Sequence, residues 1–127
     1  MLMQHGAEIN QQTALDNTAL MGAAGNGYKR VVEFLLKHGA EINLQANEGG
    51  AALMSAGNNG HERVVKLLLQ HGAEVNQQDN GGNTALMGAA GNGYKRVVEF
   101  LLKHGAEINL QANEGGAALM SAGNNGH

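Results

Sequence analysis

Four histidines are the first residues that could do chemistry. His5, His38, His71 and His104 each open the same hexapeptide, His-Gly-Ala-Glu-(Ile or Val)-Asn, and each stands 33 residues from the next. Imidazole is the commonest metal ligand among side chains, so the series invites a zinc reading. Zinc needs its nitrogens about 2 Å from one ion. Residues that recur once per helical module are instead held about 8–10 Å apart, the distance between packed helices. The pattern therefore predicts four separate histidines, each at a helix C-terminus where the dipole favours it. His61 and His127, before the second helix of a module, receive the same structural reading, and no metal or cofactor is expected.

The remaining candidates fall in the same way. Ser55 and Ser121 have no His or Asp at a spacing that suggests a triad. The Gly-rich stretch from Gly22 to Gly27 follows no strand and lacks the Lys-Ser/Thr of a phosphate loop. Glu8, Glu41, Glu74 and Glu107 come one per module and read as a solvated ladder. No catalytic constellation remains, so the chain is expected not to be an enzyme.

The elements that carry these residues come from a composition of 43% apolar residues with two Phe, two Tyr and no Trp. That leaves Ala, Leu, Val, Ile and Met, the stock of closely packed helices. Twenty Gly and no Pro imply many tight turns and no rigid helix stop. A net charge of −3 with 15% charged residues shows no basic patch, which argues against a nucleic-acid partner. The chain has no Cys, hence no disulfide, thiol nucleophile or thiolate metal site. The longest apolar runs, such as Leu67 to Leu69, fall far short of a membrane span. The start, Met1 to His5, lacks the regions of a signal peptide. These features lean toward a cytoplasmic protein.

A 33-residue period organises the sequence, and a period of this size signals a solenoid. A second period lies on top of it, because residues 17–61 recur without change at 83–127. The unit is thus a pair of modules, here called odd and even. In Lys29–Lys37 the apolar Val31, Val32, Leu35 and Leu36 take one face of a helix and Lys29, Arg30, Glu33 and Lys37 the other. Lys37, His38 and Gly39 form its stop signal. Ahead of it, Thr18 caps a shorter helix ending at Gly25 and the turn Asn26-Gly27. Gly22 and Gly25 each cost that helix roughly 1 kcal/mol relative to Ala, so packing must hold it. Between modules, Asn80-Gly81 signals a tight hairpin turn.

These residues resemble the ankyrin repeat: Asp79, Gly82, Thr84 and Leu86, then Ala89, Ala90 and Gly93, then Val97, Val98, Leu101 and Leu102, closed by His104-Gly-Ala-Glu-Ile-Asn109. The resemblance covers essentially the whole chain. It implies an all-α, ankyrin-like solenoid with hairpin turns projecting to one side. Residues 1–127 then form a single repeat domain, with full modules at 13–45, 46–78 and 79–111, the tail of a module at 1–12 and the front of one at 112–127. The departures are informative. Met21, Met54, Met87 and Met120 stand where the family has a hydrogen-bonding His. Ala51 and Ala117 remove a capping hydroxyl, worth about 1 kcal/mol each, and Ala46 and Ala112 replace the turn Asp. Even modules should therefore be weaker. Thr13 to Asp16 replace the Asn-Gly turn and should be irregular there.

The resemblance implies a protein partner, of unstated identity, on the turn tips and the exposed face of the short helices. In this chain those positions are Asn17, Gly22, Asn26 and Tyr28 in the first odd module, Asn47, Glu48, Ser55, Asn58 and Asn59 in the even module, and Asn80, Asn83, Gly88, Asn92 and Tyr94 in the second odd module. With Tyr28 and Tyr94 as the only aromatic anchors, contact should be broad and weak. The leading expectation is a non-enzymatic interaction scaffold, cut from a longer array. The alternative is a structural spacer whose ends, lacking polar capping repeats, stack head to tail with other copies. Only five residues, matching Glu62 to Lys66, would separate His127 from another copy's Met1 in a perfect array.

Overall fold

In the computed structural model, residues 18–46 and 49–110 are described. They form six helices and, among the described residues, no strand. The order is α1 (Ala19–Gly25), α2 (Lys29–Lys37), α3 (Ala52–Asn58), α4 (Glu62–Gln70), α5 (Ala85–Gly91) and α6 (Lys95–Lys103). The short α1, α3 and α5 pack in sequence as an inner layer; the longer α2, α4 and α6 form an outer one. The described residues thus show the expected all-α solenoid. The irregular turn expected at Thr13 to Asp16, and the features of residues 1–17 and 111–127, lie outside the described residues.

Each inner helix starts where a residue with extended backbone precedes a run of Ala and Leu. Thr18 and Thr84 accept the N–H of Met21 and Met87 at 3.3 Å. Ala51 holds the same backbone conformation without a side-chain bond, as its missing hydroxyl requires. Leu20, Leu53 and Leu86 are buried beneath the inner layer, with Met21, Met54 and Met87 beside them. Small residues let these helices approach closely: a Cβ placed on Gly57 would meet the Ala85 carbonyl at 3.4 Å.

The outer helices reveal what the valine pairs do. Val31 and Val32 are adjacent, yet the first is 47% exposed and the second fully buried. In α4, flanked on both sides, Val64 and Val65 are both buried. The first position of each pair faces the preceding module and the second the following one. Phe34 is likewise 44% exposed, whereas its counterpart Leu67 is buried. Burying one such side chain is worth about 1.5–3 kcal/mol, so each module is stabilised chiefly by its neighbours.

The turns between modules depart from a plain Asn-Gly hairpin. Asp79 Oδ1 accepts the N–H groups of Gly81 and Asn83, both at 2.9 Å, and the residue with positive φ is Gly82 (81°). The Asp79 carboxylate thereby moves the left-handed position one residue beyond the Asn-Gly pair. In the even module Ala46 has no carboxylate. Its turn closes through the Ala46 N–H to the Gly50 carbonyl (2.6 Å), with Gln45 Nε2 donating to Gly49 (2.6 Å).

Candidate concave groove

The inner helices and turns meet in an open groove of about 550 Å³ between α3 and α5. Met54 and Met87, both buried, form its floor with Thr84. Asn58, Asn59, Asn83 and Asn92 line its walls, with Asp79 at the turn end and Tyr94 at the other. Among the described residues Asp79 is the only acidic or basic side chain lining it.

Of the expected contact residues, Asn58, Asn59, Asn83, Gly88, Asn92 and Tyr94 come together here. Gly22, Asn26 and Tyr28 lie one module pair away, on and just after α1, and all three are exposed. Ser55 is half-buried on α3, and Asn80 is exposed at the turn tip. Asn17, Asn47 and Glu48 lie outside the described residues.

The asparagines are not equivalent. Asn59 Nδ2 donates to the carbonyls of Gly25 (3.1 Å) and Ser55 (3.0 Å), which uses both of its N–H donors. Asn92 Nδ2 donates to the Asn58 carbonyl (3.1 Å), and Asn26 Nδ2 to that of Gly22 (2.8 Å). These amides cap the ends of inner helices, and those of Asn59 and Asn92 also tie one module to the next. Asn83 is turned back to Asp79. The Asn58 side chain stands apart: it is exposed and makes no hydrogen bond within the described residues. Its carboxamide lies over Gly88, in the space a Cβ there would need. Gly88 therefore seats Asn58, a role that its place on the exposed helix face did not suggest.

Met54, Met87, Asp79 and Thr84 complete the lining without having been among the expected contacts. The two Met could have been found from their spacing of 33, which puts them at one depth in neighbouring helices. The recurring histidines stay apart, at the C-terminal ends of α2, α4 and α6. His71 and His104 donate from Nδ1 to the Leu67 and Phe100 carbonyls at 2.9 Å and His38 packs on Phe34. His61 donates from Nε2 to the Gly25 carbonyl (3.0 Å), a bond between modules. Each of these contacts is structural.

No curated protein matched the sequence. A family model for ankyrin repeats matches it three times, over residues 1–79, 20–112 and 76–127, and so spans the whole chain. Period, helix pairing and turn geometry agree with that match throughout the described residues, and the chain belongs to the ankyrin repeat family.

Proposed function

We propose that this chain is a non-enzymatic scaffold that holds a protein partner in the α3–α5 groove and on the adjoining turn tips. Ankyrin repeats are in general protein–protein interaction modules. The observation that carries the reading is Asn58: an exposed carboxamide with no hydrogen bond among the described residues, seated on Gly88 above an apolar floor of Met54 and Met87. A carboxamide matches the donor and acceptor of a peptide group, so the groove suits partner main chain, with Tyr94 as its aromatic contact. Placement in the cytoplasm belongs to the same proposal and follows the cysteine-free composition. Among the described residues no helix is long and apolar enough to cross a membrane.

Affinity capture from a cell lysate tests the site. A partner retained by the wild type should be lost with Asn58→Ala and Tyr94→Ala but kept with Lys66→Ala, which lies on the outer face. Equal loss with all three would refute the groove.

A second reading, a self-stacking spacer, is favoured by one observation. Val31 and Phe34 at one end of the described stack are 47% and 44% exposed, and Leu102 and Ile108 at the other are 40% and 54% exposed. Light scattering across a wide concentration range separates the two readings. A mass that climbs with concentration and resists salt supports stacking, and a constant single-chain mass removes it.

A further inference from the structure

Charge is sorted by layer in this molecule. All eight Lys and Arg of the chain lie on the outer helices α2, α4 and α6. With Glu33, Glu62 and Glu99 on the same helices, that layer carries a net +5. The inner helices and the turns that follow them, residues 19–28, 52–61 and 85–94, contain no Lys, Arg, Asp or Glu. The other eight acids fall in the segments that follow an outer helix, or in their sequence equivalents, which accounts for the chain's −3. Among the described residues these are Glu41, Glu74, Asp79 and Glu107.

Within this sorting, two rows keep one sign along the described modules. The outer-layer row of residues 29, 62 and 95 alternates Lys, Glu, Lys, and that of 33, 66 and 99 alternates Glu, Lys, Glu. Residues 30, 63 and 96 are all Arg and all exposed. Residues 41, 74 and 107 are all Glu and all exposed. The glutamate row has a fixed backbone, since Glu74 N–H donates to Asn43 Oδ1 and Glu107 N–H to Asn76 Oδ1, both at 2.8 Å. Arg96 makes one long ion pair with Glu62 (3.8 Å), while Arg30 and Arg63 make none within the described residues. Both rows advance by one module per step, about 8–10 Å for packed helices.

We propose that the arginine row of one chain docks along the glutamate row of a second copy, side by side. Among the described residues the two rows are opposite in sign and equal in number, and they share one step because one solenoid sets the spacing of both. Guanidinium groups suit carboxylates geometrically. Each pair is exposed and weak, so the contact depends on three acting together and on little screening. Only one row of each copy is used in such a contact, which is head to tail in type and open to a third copy. The inference is independent of the groove, and it differs from end stacking in needing charge and not apolar area.

Sedimentation velocity of the intact chain at about 0.01 M and about 1 M salt, where the screening lengths are about 30 Å and 3 Å, tests it. The wild type should gain mass with concentration at low salt and return to single-chain mass at high salt. Two triple variants complete the test: Arg30→Glu, Arg63→Glu and Arg96→Glu in one, Glu41→Arg, Glu74→Arg and Glu107→Arg in the other. Each alone should stay at single-chain mass at low salt, and an equal mixture should associate again. Self-association of either variant alone, association that survives high salt, or single-chain mass of the wild type at low salt overturns the proposal. A labelled oligo-glutamate peptide bound by wild type that stays at single-chain mass would assign the arginine row to a foreign acidic segment and also overturn it.

Discussion

The Asn59 side chain crosses a module boundary to the main chain of Gly25, its Nδ2 donating to that carbonyl at 3.1 Å. The same carbonyl, at the end of α1, also accepts His61 Nε2 at 3.0 Å. An acceptor at a helix C-terminus has no partner within its own helix, so one module completes the helix of the module before it. Asn26, at the equivalent position one module earlier, bonds among the described residues only to Gly22 in its own helix. Asn59→Ala should therefore cost about 1–2 kcal/mol, from the lost bonds and a carbonyl left with one donor fewer. Asn26→Ala should cost clearly less. Urea unfolding checks this, read as a shift of midpoint at unchanged slope. Equal shifts for the two variants would show that the bond across the boundary contributes nothing.

The helix pattern was legible in the sequence because it is local. Lys29–Lys37 was expected as a helix from its apolar spacing and its basic, glycine-bounded stop, and α2 has those bounds. The roles of Thr18, Thr84 and Ala51 were legible for the same reason. The jobs of the asparagines were not, since the bonds of Asn59 to Gly25 and of Asn92 to Asn58 join residues 34 apart. Whether such an amide is spent internally or left for a partner depends on how closely neighbouring modules approach. Asn58 and Asn59 are adjacent and identical in type, yet among the described residues only the Asn59 side chain is hydrogen-bonded. The sorting of charge is not legible in a 15% charged chain with net −3 until its helices are placed in layers.

Ala51 offers a gain in stability. Its backbone, φ −125° and ψ 171°, is close to that of Thr84 at −115° and 169°. Thr84 is buried and caps Met87, so the neighbouring module shows that a Thr fits such a site. Ala51→Thr should stabilise by about 1 kcal/mol, and Thr84→Ala should destabilise by a similar amount. Thermal unfolding by circular dichroism decides it. A loss of stability in Ala51→Thr would show that the even module packs too tightly at this point for the added hydroxyl and methyl groups.

The glycines of the inner helices should separate into two kinds. Among the described residues a Cβ on Gly91 would meet nothing within 4 Å, whereas one on Gly88 would occupy the place of the Asn58 carboxamide. Gly91→Ala should stabilise α5 by about 0.5–1 kcal/mol through propensity alone. Gly88→Ala gains the same propensity but must move Asn58, an exposed and flexible side chain. Its net effect on stability should be near zero, while partner capture through the groove falls. If Gly88→Ala retains full capture, the seating of Asn58 has no bearing on binding.

Gly60 and Gly93 allow steric clash to be measured apart from backbone strain. Both lie in the left-handed region, at φ 73° and 77°. A Cβ on Gly60 would lie 2.7 Å from the Tyr94 ring, and one on Gly93 would meet nothing within 4 Å among the described residues. Gly93→Ala should cost about 1–2 kcal/mol, the penalty of a left-handed alanine. Gly60→Ala should cost more, because Tyr94 must also leave the turn it packs on. Combining each change with Tyr94→Ala isolates the ring's part. The excess cost at Gly60 should disappear in that background, while the cost at Gly93 should not change. If the excess persists without the Tyr94 ring, it comes from the backbone of the α3–α4 turn, and packing between modules is not its source.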